Sequence, residues 1–449
     1  PCIELYGHLH DLLRVQRYAD LGAFQHGWDL DPGKPQAGKL IDDWVEQIAA
    51  LFPSPWMHVG MDEPMELEKL TTLAKGTADA GKIYVTHLRK VLETVRRVGK
   101  HPMFWADVNS GARIFSNYPE LFALLPKNAI AVPWHYRSPP EYGPFVAPFA
   151  REKVPFMIAT AIWCWDDIAP DFMRTIENID RFLAEGRRHG TLGLINTGWT
   201  DAAQVLYRTA LPGIAYGGVA AWQSVPVDRT QFFAQYARSF YGSASVAADV
   251  AVALQALTKA QDLVGVVLGR ESINRLWDDP LAPDCLQRLT TKRDALREIR
   301  LLAEDAHERL LKVAHTERDA YALSALLVQA RMLDYAGMKY IYAQEIAGYF
   351  KALGSHPSRS DVQFYLGLES SRGSHCRIRD LMDEISDLRV AYRAAWLDEY
   401  TEHRLDTALV RWNAELEYWR RLQVRLWDVV RSFKDGDTLP ALEDLRPRI

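Results

Sequence analysis

Two carboxylates stand side by side in the stretch "PWMHVGMDEP" (55–64): Asp62 and Glu63, at the end of an apolar run. In an extended strand neighbouring side chains point to opposite faces, so both acids reach one site only where the strand ends and the backbone turns. Pro64 cannot donate to a strand ladder and supports an ending there. Two close carboxylates repel unless one is protonated or otherwise stabilised. A proton-donating acid beside an ionised one is the pairing that glycoside hydrolysis uses most often. The structural alternative is that one of them caps the following helix, and the pair alone does not separate the two uses.

The elements that position the pair repeat. Short β-like runs occur at 1–8, 56–63, 102–108, 129–136, 155–163 and 192–199, apolar on both faces and bounded by Gly, Pro, Asp or Asn. That is how strands covered on both sides read. Amphipathic segments lie between them. Residues 37–52 place Leu40, Ile41, Trp44, Ile48 and Leu51 at helical spacing, and 80–100 and 175–190 behave similarly. Strand–helix alternation predicts right-handed βαβ units and a parallel sheet. Polar and aromatic residues gather at the strand ends: His8, Asp62–Glu63, Asp107, Trp134–Tyr136, Trp163 and Trp199–Asp201. A doubly wound sheet concentrates its chemistry at one switch point, whereas a TIM (β/α)8 barrel draws on every strand end. The expected fold is therefore α/β: a barrel over 1–227 with about six β/α units in this chain, the two remaining units expected before Pro1. An all-α domain is expected over 228–449, where β-like runs disappear. There Ile378, Leu381, Met382, Ile385, Leu388 and Tyr392 share one helix face, and 275–284 and 353–361 break the helices.

Composition narrows the partners. With 449 residues, 48% hydrophobic and 25% charged, the chain reads as globular, and no apolar run is expected to reach the ~18 residues of a membrane helix. A net charge of −5 without a Lys/Arg stripe argues against nucleic acid. Cys2, Cys164, Cys285 and Cys376 are scattered without a CxxC pair, so buried free thiols are expected rather than a zinc site or disulfides. No cofactor and no metal are expected. A cytoplasmic location is favoured, although a chain starting at Pro1 inside a strand gives no leader to judge.

The flanking motifs sharpen the reading. "HVGMDE" (58–63) resembles the His-x-Gly-x-Asp-Glu signature of family 20 glycoside hydrolases, the β-N-acetylhexosaminidases, with Met61 where many members carry a second Gly. "YGHLHDLLRVQRYADL" (6–21) is similar to the family's preceding strand with its Gly-His, here Gly7–His8. "FWADV" (104–108) is similar to the next strand end, and "TGWTD" (197–201) to the final Trp-x-acid. "ALPGIAYGGVAAW" (210–222) and "YRAAWLDEY" (392–400) resemble the last barrel helix and C-terminal helices of the bacterial, hexosaminidase-D-like branch.

The resemblance implies an exo-acting enzyme on carbohydrates with a terminal β-linked GlcNAc or GalNAc, working with retention through substrate-assisted catalysis. It implies Glu63 as general acid and base and Asp62 as the acid that orients the acetamide N–H. It also implies Tyr136 on the acetamide oxygen, Trp105, Trp134, Trp163 and Trp199 as candidate pocket walls, and Asp201 on distal hydroxyls. His8 would position the acids or bind a hydroxyl. Asp107 would line the pocket or bond His58, itself expected to be structural. The family's sugar-binding arginine lies on the first barrel strand, so no position here is assigned to it. Two other readings stay open: another acetamido-assisted glycosidase, which typically carries Asp-Asp, and a catalytically silent sugar-binding or scaffold protein. A homodimer through the helical half is also open.

Overall fold

Apolar runs that alternate with amphipathic segments bury best as strands under helices, and the first 200 residues fold that way. The computed structural model describes residues 1–73, 79–201, 204–314, 320–371 and 375–447. Its strands are β1 (Trp56–His58), β2 (His101–Ala106), β3 (Ile130–Pro133), β4 (Ile158–Ile162) and β5 (Leu194–Gly198). β1, β2 and β3 form one parallel sheet, with Trp56 opposite His101 and Met103 opposite Ile130. Parallel bridges extend it at both sides: Cys2 to His58 beside β1, and Ala131 to Phe156 and Trp134 to Ala159 beside β3. β5 pairs with β4. Spatial order thus follows chain order with no reversal, which is the arrangement of a barrel arc and not of a doubly wound sheet. Every residue of β3 and β4 is buried, in keeping with their continuous apolar runs.

Two strand expectations are shortened most. The run 1–8 contributes only the Cys2 bridge, flanked by hydrogen bonds from Ile3 N–H to the His58 carbonyl (3.0 Å) and from His58 N–H to the Pro1 carbonyl (2.9 Å). The run 56–63 leaves regular strand after His58. Its ladder bonds continue to Gly60, whose carbonyl accepts from Trp105 N–H at 2.9 Å, and the backbone then turns.

The intervening helices are α1 (Pro35–Leu51), α2 (Ala80–Arg97), α3 (Gly143–Glu152) and α4 (Phe172–Arg188). Asp79 caps α2 by accepting from Lys82 N–H. In α1 the buried line is Ala37, Ile41 and Val45, and Leu51 is 75% exposed, so the buried face is rotated from the one the large apolar residues suggest.

The chain divides into two compact units, Pro1–Ala161 with Arg174–Thr197 and Ala220–Trp222, and Ile162–Met173 with Gly198–Val219 and Gln223–Ile449. The second is dominated by α5 (Arg229–Phe240), α6 (Ala244–Val267), α7 (Arg293–Val313), α8 (Ala320–Leu353), α9 (Arg359–Ser370), α10 (Arg377–Glu399) and α11 (Leu405–Ser432). Asp228, Ser243 and a Ser358–Asp361 capping box start three of them. In α10 the expected face is buried at Ile378, Leu381, Ile385, Leu388 and Tyr392, and Met382 is half-buried. One expectation is corrected: α6 is long and apolar enough by composition to cross a membrane. Alanines thin its apolar signal in the sequence, and 61% of its apolar window is buried, as in a core helix. The Lys339 ammonium of α8 is fully buried. It donates to Glu415 of α11 (3.0 Å) and to the Leu276 carbonyl (2.7 Å), and Tyr335 and Trp419 donate to the other Glu415 oxygen. Of the four thiols, Cys164, Cys285 and Cys376 are buried as expected, and Cys2 is exposed on the edge segment.

Candidate active site

After β1 the backbone enters the left-handed region at Gly60 (φ 69°), Met61 (83°) and Glu63 (45°), and His8 does so from the neighbouring segment (58°). Such conformations cost non-glycine residues on the order of 1 kcal/mol or more each and persist only where surrounding structure enforces them. The two segments can meet because residue 7 is glycine. A Cβ there would stand 2.5 Å from the Asp62 carbonyl oxygen and 3.0 Å from that of Glu63. The meeting brings His8 Nε2 to 3.4 Å from Asp62 Oδ2 and 3.3 Å from Glu63 Oε2. Hydrogen bonding to Asp62 and then to Glu63 outweighs burial and raises the His8 pKa to about 10, so an imidazolium bridges the acids at neutral pH.

A third acid, unassigned from sequence, lies behind them. Glu4 is half-buried, with its Oε2 shielded against Gly60 and its carboxyl close to Asp62. Burial first, then the Asp62 charge and a hydrogen bond to it, push the Glu4 carboxyl well above the ordinary range. Glu4 therefore favours its protonated form beside Asp62. The signal was an acid inside the apolar run "PCIELYGH". Trp28 was also unassigned. Its ring is 5.7 Å from that of His8 and 41% exposed, and its backbone N–H donates to Glu66 Oε2 at 3.1 Å.

Asp107 follows β2 and is buried. Its Oδ2 accepts from the backbone N–H of Glu63 (2.9 Å) and of Ala112 (3.1 Å), and its Oδ1 accepts from the Trp134 indole N–H (2.7 Å). Burial and the Asp62 charge raise its pKa to about 8 against these three donors. No hydrogen bond joins Asp107 to His58. The His58 Nδ1 instead accepts from Gly60 N–H at 3.1 Å, with Cys2 Sγ at 3.4 Å, and complete burial lowers its pKa to about 3, so it is neutral. Trp105 is buried with its ring 4.2 Å from His58. Trp134 and Tyr136 are half-buried with rings 5.1 Å apart.

The first unit therefore brings together His8, Asp62, Glu63, Asp107, Trp134 and Tyr136. Trp163, Trp199 and Asp201 belong to the second unit. There Trp163 packs on Trp165 (4.4 Å), the Cys164 thiol donates to the Trp199 carbonyl (3.3 Å), and Asp201 is exposed. One ligand atom from each of His8, Asp62 and Glu63 falls within 4.8 Å, a spacing a metal could bridge. Holding one would require His8 to give up the proton it shares with the two acids.

Residues 14–144 match the sequence profile of the glycosyl hydrolase family 20 catalytic domain. That stretch contains Asp62, Glu63, Trp105, Asp107, Trp134 and Tyr136. Solved structures that resemble the chain include the β-N-acetylhexosaminidase of Bacteroides fragilis NCTC 9343, at 18% identity and TM-score 0.39, over 52% of this chain and 50% of that one. The family 20 exo-β-N-acetylglucosaminidase of Vibrio harveyi gives 20% identity and TM-score 0.34, over 46% of this chain and 34% of that one. A family 138 glycoside hydrolase targeting pectin rhamnogalacturonan II gives 11% identity and TM-score 0.50, over 89% of this chain and 53% of that one. The chain thus spans about half or less of the length of these structures. No curated protein matches it.

Proposed function

From a chain whose residues 14–144 match the family 20 glycoside hydrolase catalytic domain, we propose an exo-β-N-acetylhexosaminidase that removes terminal β-linked GlcNAc or GalNAc with retention. The observation that carries the reading is the adjacent pair Asp62–Glu63 on a left-handed apex, bridged by His8 at 3.4 and 3.3 Å. In this reading residues 1–227 supply the barrel units and 228–449 supply the helical domain.

The substrate's own acetamide carbonyl oxygen attacks the anomeric carbon as the glycosidic bond breaks, giving an oxazolinium ion. Glu63 gives its proton to the leaving oxygen and later takes one from the water that opens the ring. Asp62 accepts from the acetamide N–H and stabilises the positive charge that develops there. Holding the acetamide over the anomeric carbon makes the attack intramolecular. Tyr136 donates to the acetamide oxygen. Within the first unit Trp105 and Trp134 are the candidate walls for its methyl group and the sugar's C–H faces. His8 keeps both acids in place.

The test is hydrolysis of p-nitrophenyl β-GlcNAc by the full chain, Asp62→Asn and Glu63→Gln. Both variants are expected to lose activity, with azide restoring turnover to Glu63→Gln. A thiazoline mimic of the oxazolinium is expected to inhibit strongly. Wild-type rates in both variants would overturn the reading.

A further inference from the structure

Glu63 is held in a backbone conformation it would not choose, and something must hold it. Three contacts do. Gly7 lets the backbone of the neighbouring segment close on Asp62 and Glu63 from one side. From the other side comes Gly111, itself left-handed (φ 58°), where a Cβ would stand 2.6 Å from Asp107 Oδ2 and 2.7 Å from Glu63 Cγ. Between them Asp107 Oδ2 takes the Glu63 backbone N–H at 2.9 Å. The same carboxylate oxygen takes Ala112 N–H, which closes the 108–112 turn over the Glu63 stem. Its other oxygen takes the Trp134 indole at 2.7 Å.

We infer that Asp107 is a positioning residue for Glu63: one buried carboxylate ties the left-handed backbone of the acid to the orientation of the Trp134 ring. These three hydrogen bonds are all to protein donors and engage three of its roughly four acceptor positions within the fold. Three N–H groups on two oxygens require an acceptor on both sides, which a carboxyl group provides and an amide does not. In Asp107→Asn, either the Glu63 and Ala112 amides or the Trp134 indole face an NH2 group. The carboxyl of Glu63 then loses its fixed distance to the glycosidic oxygen while the sugar pocket keeps its other walls. This inference rests on the reading of Glu63 as the proton donor.

Leaving-group dependence tests it. A misplaced acid harms substrates that need a proton and spares those that do not. For Asp107→Asn and, independently, Gly111→Ala, we expect kcat/KM on chitobiose, which reports the bond-breaking step, to fall about 10- to 100-fold, consistent with partial loss of general-acid assistance. On 2,4-dinitrophenyl β-GlcNAc, whose leaving group needs no proton, the expected fall in kcat/KM is under about threefold. An equal fall in kcat/KM on both substrates would make Asp107 a sugar-binding or merely structural group. That result overturns the inference.

A second readout needs no turnover. Hydrogen exchange at the Glu63 amide and the 15N–1H signal of the Trp134 indole should both report the tether. Faster exchange or a displaced indole signal in folded Asp107→Asn supports it, and no change in either overturns it. If wild-type protein cleaves neither glycoside while exchange responds, the glycosidase reading fails and the tether stands.

Discussion

His8 and Glu63 meet at 3.3 Å while both backbones are left-handed, at φ 58° and 45°. A histidine pinned between two acids gains from charge, and its pKa rises from 6.5 to about 10. The sign follows from linkage. The stabilisation is fully present below pH 6.5 and is lost as pH rises through 10. The difference in melting temperature between wild type and His8→Asn should therefore be greatest at pH 6 and shrink toward pH 10. A difference that grows with pH would show that His8 is neutral in the fold.

Glu4 titrates in the opposite sense. Its folded form favours the proton because of burial and the nearby Asp62 charge. Its contribution is therefore favourable at low pH and declines as pH rises above the ordinary carboxylate range. Glutamine mimics the protonated acid. Glu4→Gln should keep its fold and gain stability relative to wild type as pH rises. Glu4→Ala should lose about 1–3 kcal/mol, because Asp62 forfeits its buried partner. Denaturant titrations at pH 5 and pH 9 read both.

What could be read from sequence depended on whether a residue's role followed from its chain position. Asp62 and Glu63 were legible because an apolar run that ends in two acids must turn there. Parallel order was legible because strands and helices alternate. The tie from Asp107 to Glu63 was not, because it depends on the sign of φ at residue 63, which no residue type at that position announces. Glu4 was missed because an isolated acid in a strand has no periodicity. The buried face of α1 runs through Ala37 and Val45 instead of Trp44, since close helix packing selects small residues at the contact and leaves large ones at its rim. In α6 the alanines that thin its apolar signal sit among its buried residues.

Gly7 makes a sharper demand than its neighbours. The atom a new Cβ would meet, at 2.5 Å, is the Asp62 backbone carbonyl oxygen, which cannot rotate away as a side chain would. Gly7→Ala should separate the His8 segment from the acid apex. The expected cost is about 1–3 kcal/mol, as for other overpacked sites. Activity on p-nitrophenyl β-GlcNAc should fall further than stability suggests, because both carboxylates move with the backbone. A folded Gly7→Ala with wild-type kcat would mean that the apex tolerates the shift.

In the second unit, Lys339 and Glu415 form an ion pair whose side chains are 0% and 3% exposed. Each charge has more than one partner: Lys339 has Glu415 and the Leu276 carbonyl, and Glu415 has Lys339, Tyr335 and Trp419. Removing one partner strands the other charge in a low-dielectric interior. Lys339→Met or Glu415→Leu alone should therefore cost about 3–5 kcal/mol. Replacing both removes two desolvation penalties together, so the double variant should be more stable than either single variant. Tyr335 and Trp419 would still lose their shared acceptor, which keeps the double variant below wild type by about 1–3 kcal/mol. A double-mutant cycle by chemical denaturation measures the coupling. Strictly additive losses would show that the two charges do not depend on each other.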